Sequence, residues 1–406
     1  MRILVLGINH APEPIGIGPY TAGAVAALAA AGHEVRLVTA NPYYPGWAID
    51  PELRPRYRRE HHAGVDVRRC PLYVPRDPTG LRRVVHHLSF ALAALPLMLA
   101  AAMRFRPHLV LTIAPSLLSV PVAKLAAVLA RARLWIHVQD FEVEAAFATG
   151  LLDGRGRLPR LARGFERAVL RSGDVVSSIS PQMCRRLEQK GVAPARVVEF
   201  RNWAEIDGIT PLAPGACYRA EWGLGNRHVA LYSGNVGNKQ GIEILIEAAR
   251  QLAPRDDIVF VICGEGPHRE QLETRAAGLA NVQFHPLQPA EHMGALLGLA
   301  SVHLLPQLAG AADLVLPSKL ANMLASGRPI VATAAPGTGI AREVEGCGLV
   351  TPPGDASAMA EAIVALIDDG QRAAAMGTAA RGRAERCWSR QAILDDFVNR
   401  VGTCAA

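Results

Sequence analysis

The chain begins with four consecutive large apolar residues, Ile3-Leu4-Val5-Leu6, closed by Gly7 and a loop of glycine, proline and asparagine. A run this short and this apolar fits a strand buried on both faces, and such strands belong to parallel sheets covered by helices. An amphipathic helix from about Pro19 to Ala31 and a strand at Glu34–Val38 complete the first unit. Further strands are expected at Leu109–Thr112, Leu134–Val138 and Val175–Ser178. The expected fold class is therefore α/β, a doubly wound sheet of the Rossmann kind.

The rhythm restarts after residue 215, with a strand at His228–Tyr232, a helix at Ile242–Leu252 and a strand at Ile258–Ile262. Strands at Val282–Phe284, Val302–Leu305 and Ile330–Ala332 follow. A length of 406 residues suits two domains. The expected division is one domain of residues 1–207 and a second of residues 208–385. The connection falls in Gly191–Pro214, and the C-terminal helix 386–406 is expected to return to the first domain.

Composition narrows the partners. Half the residues are hydrophobic and 19% are charged, which supports two sizeable cores and excludes disorder. Part of the formal charge of +7 lies in an arginine-rich stretch from Arg54 to Arg83, a surface suited to nucleotide diphosphates or phospholipid head groups. Nucleic acid is disfavoured, because aromatic residues make up 5% of the chain and do not interleave with basic ones. Seven scattered cysteines, none in a Cys-x-x-Cys, argue against a disulfide framework and a zinc site and fit a reducing cytoplasm. With the first strand starting at residue 3, no signal peptide is expected. Leu88 to Met103 is apolar but for Ser89 and Pro96, shorter than a bilayer span of about 20 residues. It reads either as a buried helix or as a patch facing anionic lipid on the cytoplasmic side of the inner membrane.

Four loops carry the candidate chemistry. The first, His10 to Tyr20, contains Gly16 and Gly18 ahead of a helix start at Pro19. These glycines allow close backbone approach to an anion, and Glu13 is the candidate acceptor-side base. The loop lacks Gly-x-Gly-x-x-Gly, so a nicotinamide fingerprint is absent. The second, Ser233 to Gly241, offers Gly234, Asn235, Gly237 and Gln240 with Lys239 as a point charge. The third places Gly264 and Gly266 after another strand. The fourth runs from Asp313 through Leu316, Ser318 and Lys319 to Asn322, with Pro317 suited to open a helix whose N–H groups face a diphosphate. An ordinary tight turn remains the competing reading of the first and third loops, and a solvated surface lysine that of Lys319 in the fourth.

In this order the loops resemble family 4 of the retaining glycosyltransferases of the two-Rossmann GT-B type. Ser233 to Gly241 and Pro317 to Pro329 look most like its colanic-acid and O-antigen branch, as do His137-Val138-Gln139-Asp140, Arg201-Asn202-Trp203 and Gly264-Glu265-Gly266-Pro267. The resemblance implies two domains facing each other across a cleft. It also implies transfer of a hexose-type sugar from a UDP- or GDP-sugar to a lipid-linked or oligosaccharide acceptor. Gly16 and Gly18 would meet donor phosphate, and His137 would lie beside the reacting sugar. The chain departs from the family at Asn235 and Gln240, where an Arg and a Lys are usual, and at Leu314 and Asn322, where the usual Glu pair is missing.

Catalysis needs the departing diphosphate stabilised, and preorganised positive groups are usually the largest contribution. Lys239, Lys319 and the N–H groups near Gly16 and Ser318 are assigned that task, with no cofactor and no metal expected, since no Asp-x-Asp lies in a suitable loop. His137 and Asp140, the other catalytic candidates, are expected to point into the cleft. His137 is expected to orient the sugar or back its charge, with a hydrogen-bonded structural histidine as the alternative, and Asp313 to bind the sugar. Two rival readings stay open: a sugar-nucleotide epimerase, which acts without an acceptor, and a non-catalytic sugar-nucleotide or lipid-binding partner of a polysaccharide assembly complex.

Overall fold

The computed structural model describes residues 1–14, 16–51, 56–76, 80–143, 157–204, 206–210, 216–236, 241–266, 268–308 and 316–404. Lys239, Gly237, Gln240 and Asp313 lie outside them.

The first half runs β1 (Arg2–Gly7), α1 (Gly18–Ala30), β2 (Glu34–Ala40), β3 (Arg58–His62), β4 (Val65–Cys70), α2 (Gly80–Arg104), β5 (Leu109–Ala114), α3 (Val120–Ala130), β6 (Arg133–Val138), α4 (Arg157–Arg171), β7 (Val175–Ser178), α5 (Pro181–Gln189) and β8 (Val197–Glu199). The second runs α6 (Ala216–Glu221), β9 (His228–Ser233), α7 (Glu243–Gln251), β10 (Ile258–Cys263), α8 (Arg269–Arg275), β11 (Val282–His285), α9 (Met293–Gly298), β12 (Val302–Leu305), α10 (Ser318–Ala325), β13 (Ile330–Thr333), α11 (Gly339–Val344) and β14 (Gly348–Thr351). Three helices close the chain: α12 (Ala356–Asp368), α13 (Gly370–Cys387) and α14 (Arg390–Cys404).

The strands form an eight-stranded sheet in the order β3-β4-β2-β1-β5-β6-β7-β8 and a six-stranded sheet in the order β11-β10-β9-β12-β13-β14. Every pairing is parallel except β3 with β4. The chain winds outward in both directions from β1 and again from β9. That creates switch points between β1 and β5 and between β9 and β12, where diverging loops leave room for a ligand.

The β3–β4 hairpin was not foreseen from the sequence. Arg58-Arg59-Glu60-His61-His62 carries no apolar residue, because β3 is the outermost strand, and charge on a sheet edge discourages pairing with other chains. The unit boundaries fall at Asn202/Trp203 and Ala392/Ile393: Met1–Asn202 with Ile393–Ala406 form one compact unit, and Trp203–Ala392 the other. Most of α14 therefore belongs with the first sheet. Its Phe397 is buried, stacks on Phe200 at 4.2 Å between centroids and meets Trp135 edge-on at 5.6 Å.

The apolar run Leu88–Met103 is the bulk of α2. Phe90, Ala94, Met98 and Ala101 face the core shared with Leu4, Leu6 and Ile136. Leu88, Leu92 and Met103 face outward.

Candidate functional site

In the second unit the residues after β9, after β10 and at the start of α10 come together beside the β9/β12 switch point. β9 and β10 are in register through Tyr232↔Ile262 and Ser233↔Cys263, so their loops leave the same edge side by side. The pairing continues beyond the strands: Gly234 N donates to Cys263 O at 3.0 Å and Val236 N to Glu265 O at 2.8 Å. This closeness is one reason the loops need glycine. A Cβ on Gly264 would fall 1.9 Å from Gly234 O, and one on Gly266 would fall 2.1 Å from Val236 O and 2.9 Å from Asn235 Oδ1. Arg269 fastens the second loop, donating through Nη1 to Gly264 O at 2.8 Å, Glu265 Oε1 at 2.9 Å and His285 O at 3.1 Å.

Lys319 reaches into this pair of loops from α10. A Cβ on Gly234 would stand 3.4 Å from Lys319 Cδ and 3.8 Å from Nζ, so the lysine stem lies along the glycine. Its Nζ donates to the Tyr232 hydroxyl at 3.2 Å and sits 4.2 Å from the centroid of that ring. The same hydroxyl donates to Asn235 O at 2.6 Å. Burial lowers the Lys319 pKa to about 8 and raises that of Tyr232. Lys319 is no solvated surface residue. Pro317, extended at φ −62° and ψ 126°, precedes α10, gives it no side-chain cap and accepts from Leu320 N at 3.0 Å. Asn322 is half-buried one turn along α10, and Leu316 packs on the apolar cluster that includes Leu320 and Leu324. The structure thus unites Gly234, Asn235, Gly264, Gly266 and Lys319.

Two assignments in the first unit are corrected. Glu13, expected to serve an acceptor, is buried with both carboxylate oxygens turned inward. Oε2 accepts from Asn9 Nδ2 at 2.9 Å, and Oε1 accepts from the N–H groups of Tyr43 at 3.1 Å and Tyr44 at 3.0 Å. Desolvation raises its pKa above the ordinary carboxylate value, against the pull of those bonds. It is a brace between the loops after β1 and β2, and the nearby glycines fit that brace. A Cβ on Gly16, at φ +75°, would stand 3.0 Å from the Tyr44 ring, and one on Gly18 would stand 3.1 Å from Glu13 O.

His137, expected to point at the sugar, is instead enclosed. It lies within β6, where alternation turns Trp135 and His137 to one face and Leu134, Ile136 and Val138 to the other. Trp135 Nε1 donates to Ser177 Oγ at 2.7 Å, His137 Nδ1 pairs with the same oxygen at 2.9 Å, and the imidazole packs 4.8 Å from Phe200. Burial lowers its pKa to about 3, so the ring is neutral. The residues that emerge from the strand are Gln139 and the half-buried Asp140. Gln139 Oε1 accepts from Asn202 Nδ2 at 2.8 Å.

Sequence reasoning also passed over a polar group at the β1/β5 switch point. Ser116, directly after β5, holds φ at +96°, a conformation a non-glycine residue rarely adopts. Glu142 accepts from the N–H groups of Ser116 at 2.8 Å and Leu117 at 2.7 Å, and its Oε1 lies 3.2 Å from His87 Nε2. Desolvation raises the Glu142 pKa and lowers that of His87 to about 4. Nothing in the local sequence signals this group; only the sheet order brings α2, β5 and β6 together. A separate cavity of ≈ 400 Å³ between α4 and α5 is lined by Arg163, Arg167, Arg186 and Lys190, with Glu166 held to Lys190 at 2.6 Å.

Residues 16–203 match the glycosyl transferase 4-like domain, and residues 227–369 match the glycosyl transferases group 1 domain. The chain is 42% identical over 415 residues to the putative colanic acid biosynthesis glycosyl transferase WcaI of Escherichia coli K12, covering 99% of this chain and all of that protein. It is 29% identical over 216 residues to the alpha-D-kanosaminyltransferase of Streptomyces kanamyceticus, covering 52% of this chain and 55% of the relative. Among solved structures, Anabaena HepE in complex with UDP superimposes with a TM-score of 0.69 at 18% identity, covering 99% of this chain and 100% of that one. A glycosyltransferase from Rickettsia africae gives 0.71 at 14% identity, covering 99% and 98%. These two likenesses are of fold: paired parallel α/β sheets in the GT-B manner. The chain belongs to the family 4, group 1 glycosyltransferases.

Proposed function

We propose that the chain transfers a hexose-type sugar, with retention, from a UDP- or GDP-sugar to a lipid-linked glycan during assembly of a colanic-acid-like exopolysaccharide. The observation that carries the donor side of this reading is Lys319 lying along Gly234 at the β9/β12 switch point. The full-length identity to the protein named for colanic acid biosynthesis supports the pathway, and the UDP in Anabaena HepE supports a nucleotide donor.

As the bond between the sugar C1 and the diphosphate oxygen breaks, the leaving group gains negative charge. A partly desolvated ammonium beside it stabilises that charge more than the same group would in water. With a pKa of about 8, Lys319 is largely protonated at neutral pH, and a bound diphosphate raises its pKa further. The glycines let backbone amides approach the phosphates, while the start of α10 after Pro317 adds the positive end of a helix dipole.

The test is a panel of UDP- and GDP-sugars offered to the purified protein with and without an extract of lipid-linked oligosaccharides. Transfer that requires both donor and acceptor supports the reading. Interconversion of the donor without acceptor makes the protein an epimerase, and binding without turnover makes it a non-catalytic partner. Either result overturns the proposal.

A further inference from the structure

The turn that leaves β5 at the first unit's switch point is held in a conformation its sequence does not favour. Ser116 takes φ +96° and ψ 57°, the left-handed region in which a Cβ is penalised and glycine is not. Pro115 has no N–H, so Ser116 and Leu117 supply the first two donors of the turn. Both go to one side chain, the Glu142 carboxylate, at 2.8 and 2.7 Å. The Ser116 carbonyl is bonded too, accepting from Ser119 N at 2.8 Å and Ser119 Oγ at 2.7 Å. Successive N–H groups of a left-handed residue and a helical one form a concavity suited to an anion, and here the chain fills it with its own carboxylate.

Glu142 reaches this turn from just beyond β6, whose pairing with β5 carries past the strand ends: Ala114 stands opposite Val138, and Gln139 N donates to Ala114 O at 3.0 Å. From α2, His87 Nε2 stands 3.2 Å from the same carboxylate. Glu142 thus joins three segments far apart in the chain. Beside it, Ser116 Oγ and His87 Nδ1 are buried with no hydrogen-bond partner among the described residues. Buried polar atoms are ordinarily paired, and a strained residue fixed by its surroundings is a mark of ligand sites. Both observations fall on one turn, at the edge where an open parallel sheet gathers ligands. With the donor assigned to Lys319 and the glycine loops of the second unit, the reading on which this inference rests, the first unit's switch point is left to the acceptor.

We infer that Glu142 is a positioning residue for the acceptor, acting through Ser116: it pins the turn after β5 in the shape that receives a neutral sugar ring of the acceptor glycan. The chemistry of the turn selects that class. The two N–H groups able to hold a phosphate are already engaged by the carboxylate, and the unpaired atoms beside them are a hydroxyl and an imidazole nitrogen, both uncharged. The carrier phosphate of a lipid-linked glycan is therefore bound elsewhere.

Initial rates are measured on the full chain with the extract of lipid-linked oligosaccharides varied at saturating donor, and nucleotide affinity by calorimetry with UDP and GDP. Glu142→Ala raises the acceptor KM by at least about tenfold, while kcat and nucleotide affinity stay within about threefold. Glu142→Gln keeps an oxygen for one of the two N–H groups, loses less stability and raises the KM by about threefold. Ser116→Gly added to Glu142→Ala relieves the left-handed turn of its steric penalty and recovers most of the lost acceptor affinity, which a role in general stability would not produce. Oligosaccharide freed from its carrier by mild acid competes with the intact acceptor, and Glu142→Ala weakens it by the same factor. Thermal melting shows which variants are folded. An unchanged acceptor KM in a folded Glu142 variant overturns the inference, as does a parallel fall in nucleotide affinity. So does a loss that Ser116→Gly leaves in place, or a freed oligosaccharide indifferent to Glu142→Ala. A wild type that transfers nothing overturns the proposed function itself; a wild type that transfers, with variants that match it, overturns this inference alone.

Discussion

Lys319 donates to the Tyr232 hydroxyl at 3.2 Å while its ammonium lies 4.2 Å from the centroid of the same ring, so one tyrosine both anchors and desolvates the cation. If the ammonium stabilises the leaving diphosphate, Lys319→Ala lowers kcat by about a hundredfold, the scale seen when one preorganised donor is removed. Tyr232→Phe keeps the ring and deletes one hydrogen-bond acceptor, for about a threefold to tenfold loss. Activity in the wild type declines as pH rises through about 8, where the free lysine loses its proton. Steady-state kinetics from pH 6 to 10 check all three; a Lys319→Ala enzyme with full turnover removes Lys319 from the chemistry.

Holding that charge costs stability. The folded pKa of about 8 lies below the ordinary lysine value of 10.5, so between those values the unfolded chain binds more protons and stability climbs with pH. At neutral pH the uncharged Lys319→Met protein is expected to be more stable by on the order of 2–3 kcal/mol. Urea unfolding at pH 7 and pH 10 measures it, and the gain shrinks at the higher pH.

Gly266→Ala pushes a Cβ to within 2.1 Å of Val236 O and 2.9 Å of Asn235 Oδ1. Neither loop can yield without parting from the other, because Val236 N is bonded to Glu265 O. The expected result is donor affinity lower by at least about tenfold, with a modest loss of melting temperature. Isothermal titration with the nucleoside diphosphate reads it directly.

Glu13 distinguishes a brace from a base. Glu13→Gln keeps an oxygen for the Tyr43 and Tyr44 N–H groups and turnover stays within about threefold of wild type, whereas Glu13→Ala orphans both and destabilises by about 2–4 kcal/mol. Its raised folded pKa means that the stabilisation, complete below the unfolded value of about 4.5, is lost as pH climbs through the folded one. Loss of turnover in a fully folded Glu13→Gln enzyme restores the base.

The buried histidines give the protein an acid limit. His10, His86 and His87 are lowered to about 4, and His137 and His303 to about 3, in each case chiefly by burial. All lie below the unfolded value of about 6.5, so the unfolded chain takes up protons first and stability falls as pH drops from 6.5 towards 4. His137→Asn keeps a partner for Ser177 without the titration, and flattens this slope by on the order of 3 kcal/mol at pH 4. Urea midpoints across that range supply the measurement.

The buried strands were legible because their apolar runs are continuous: Leu109–Thr112, Leu134–Val138 and Ile258–Ile262 each fall inside an observed strand. The hairpin strand Arg58–His62 was invisible, since an edge strand needs no apolar face. Gly234, Asn235, Gly264 and Gly266 stood out because they follow strands, the position where an α/β sheet gathers ligands, and Lys319 because Pro317 marks a helix start. What sequence could not give was direction. His137 lies inside the expected strand Leu134–Val138, but the face it takes is fixed by the alternation of β6 and by the packing of Phe200, which enclose the imidazole. Glu13 looked available because its partners, Tyr43 and Tyr44, are main-chain donors from a distant loop. Tyr232 was read as the last apolar residue of its strand, yet its hydroxyl is what ties Lys319 to Asn235.

The place of α14 bears on biosynthesis. Phe397 covers Trp135 and Phe200 of the first sheet, yet the whole of the second unit is encoded between them. On the ribosome, the unit translated first must therefore wait, with an aromatic face bare, while its successor is made and folds. The nascent first unit is the one that needs shelter from aggregation, and the last helix to emerge seals the earliest part of the chain.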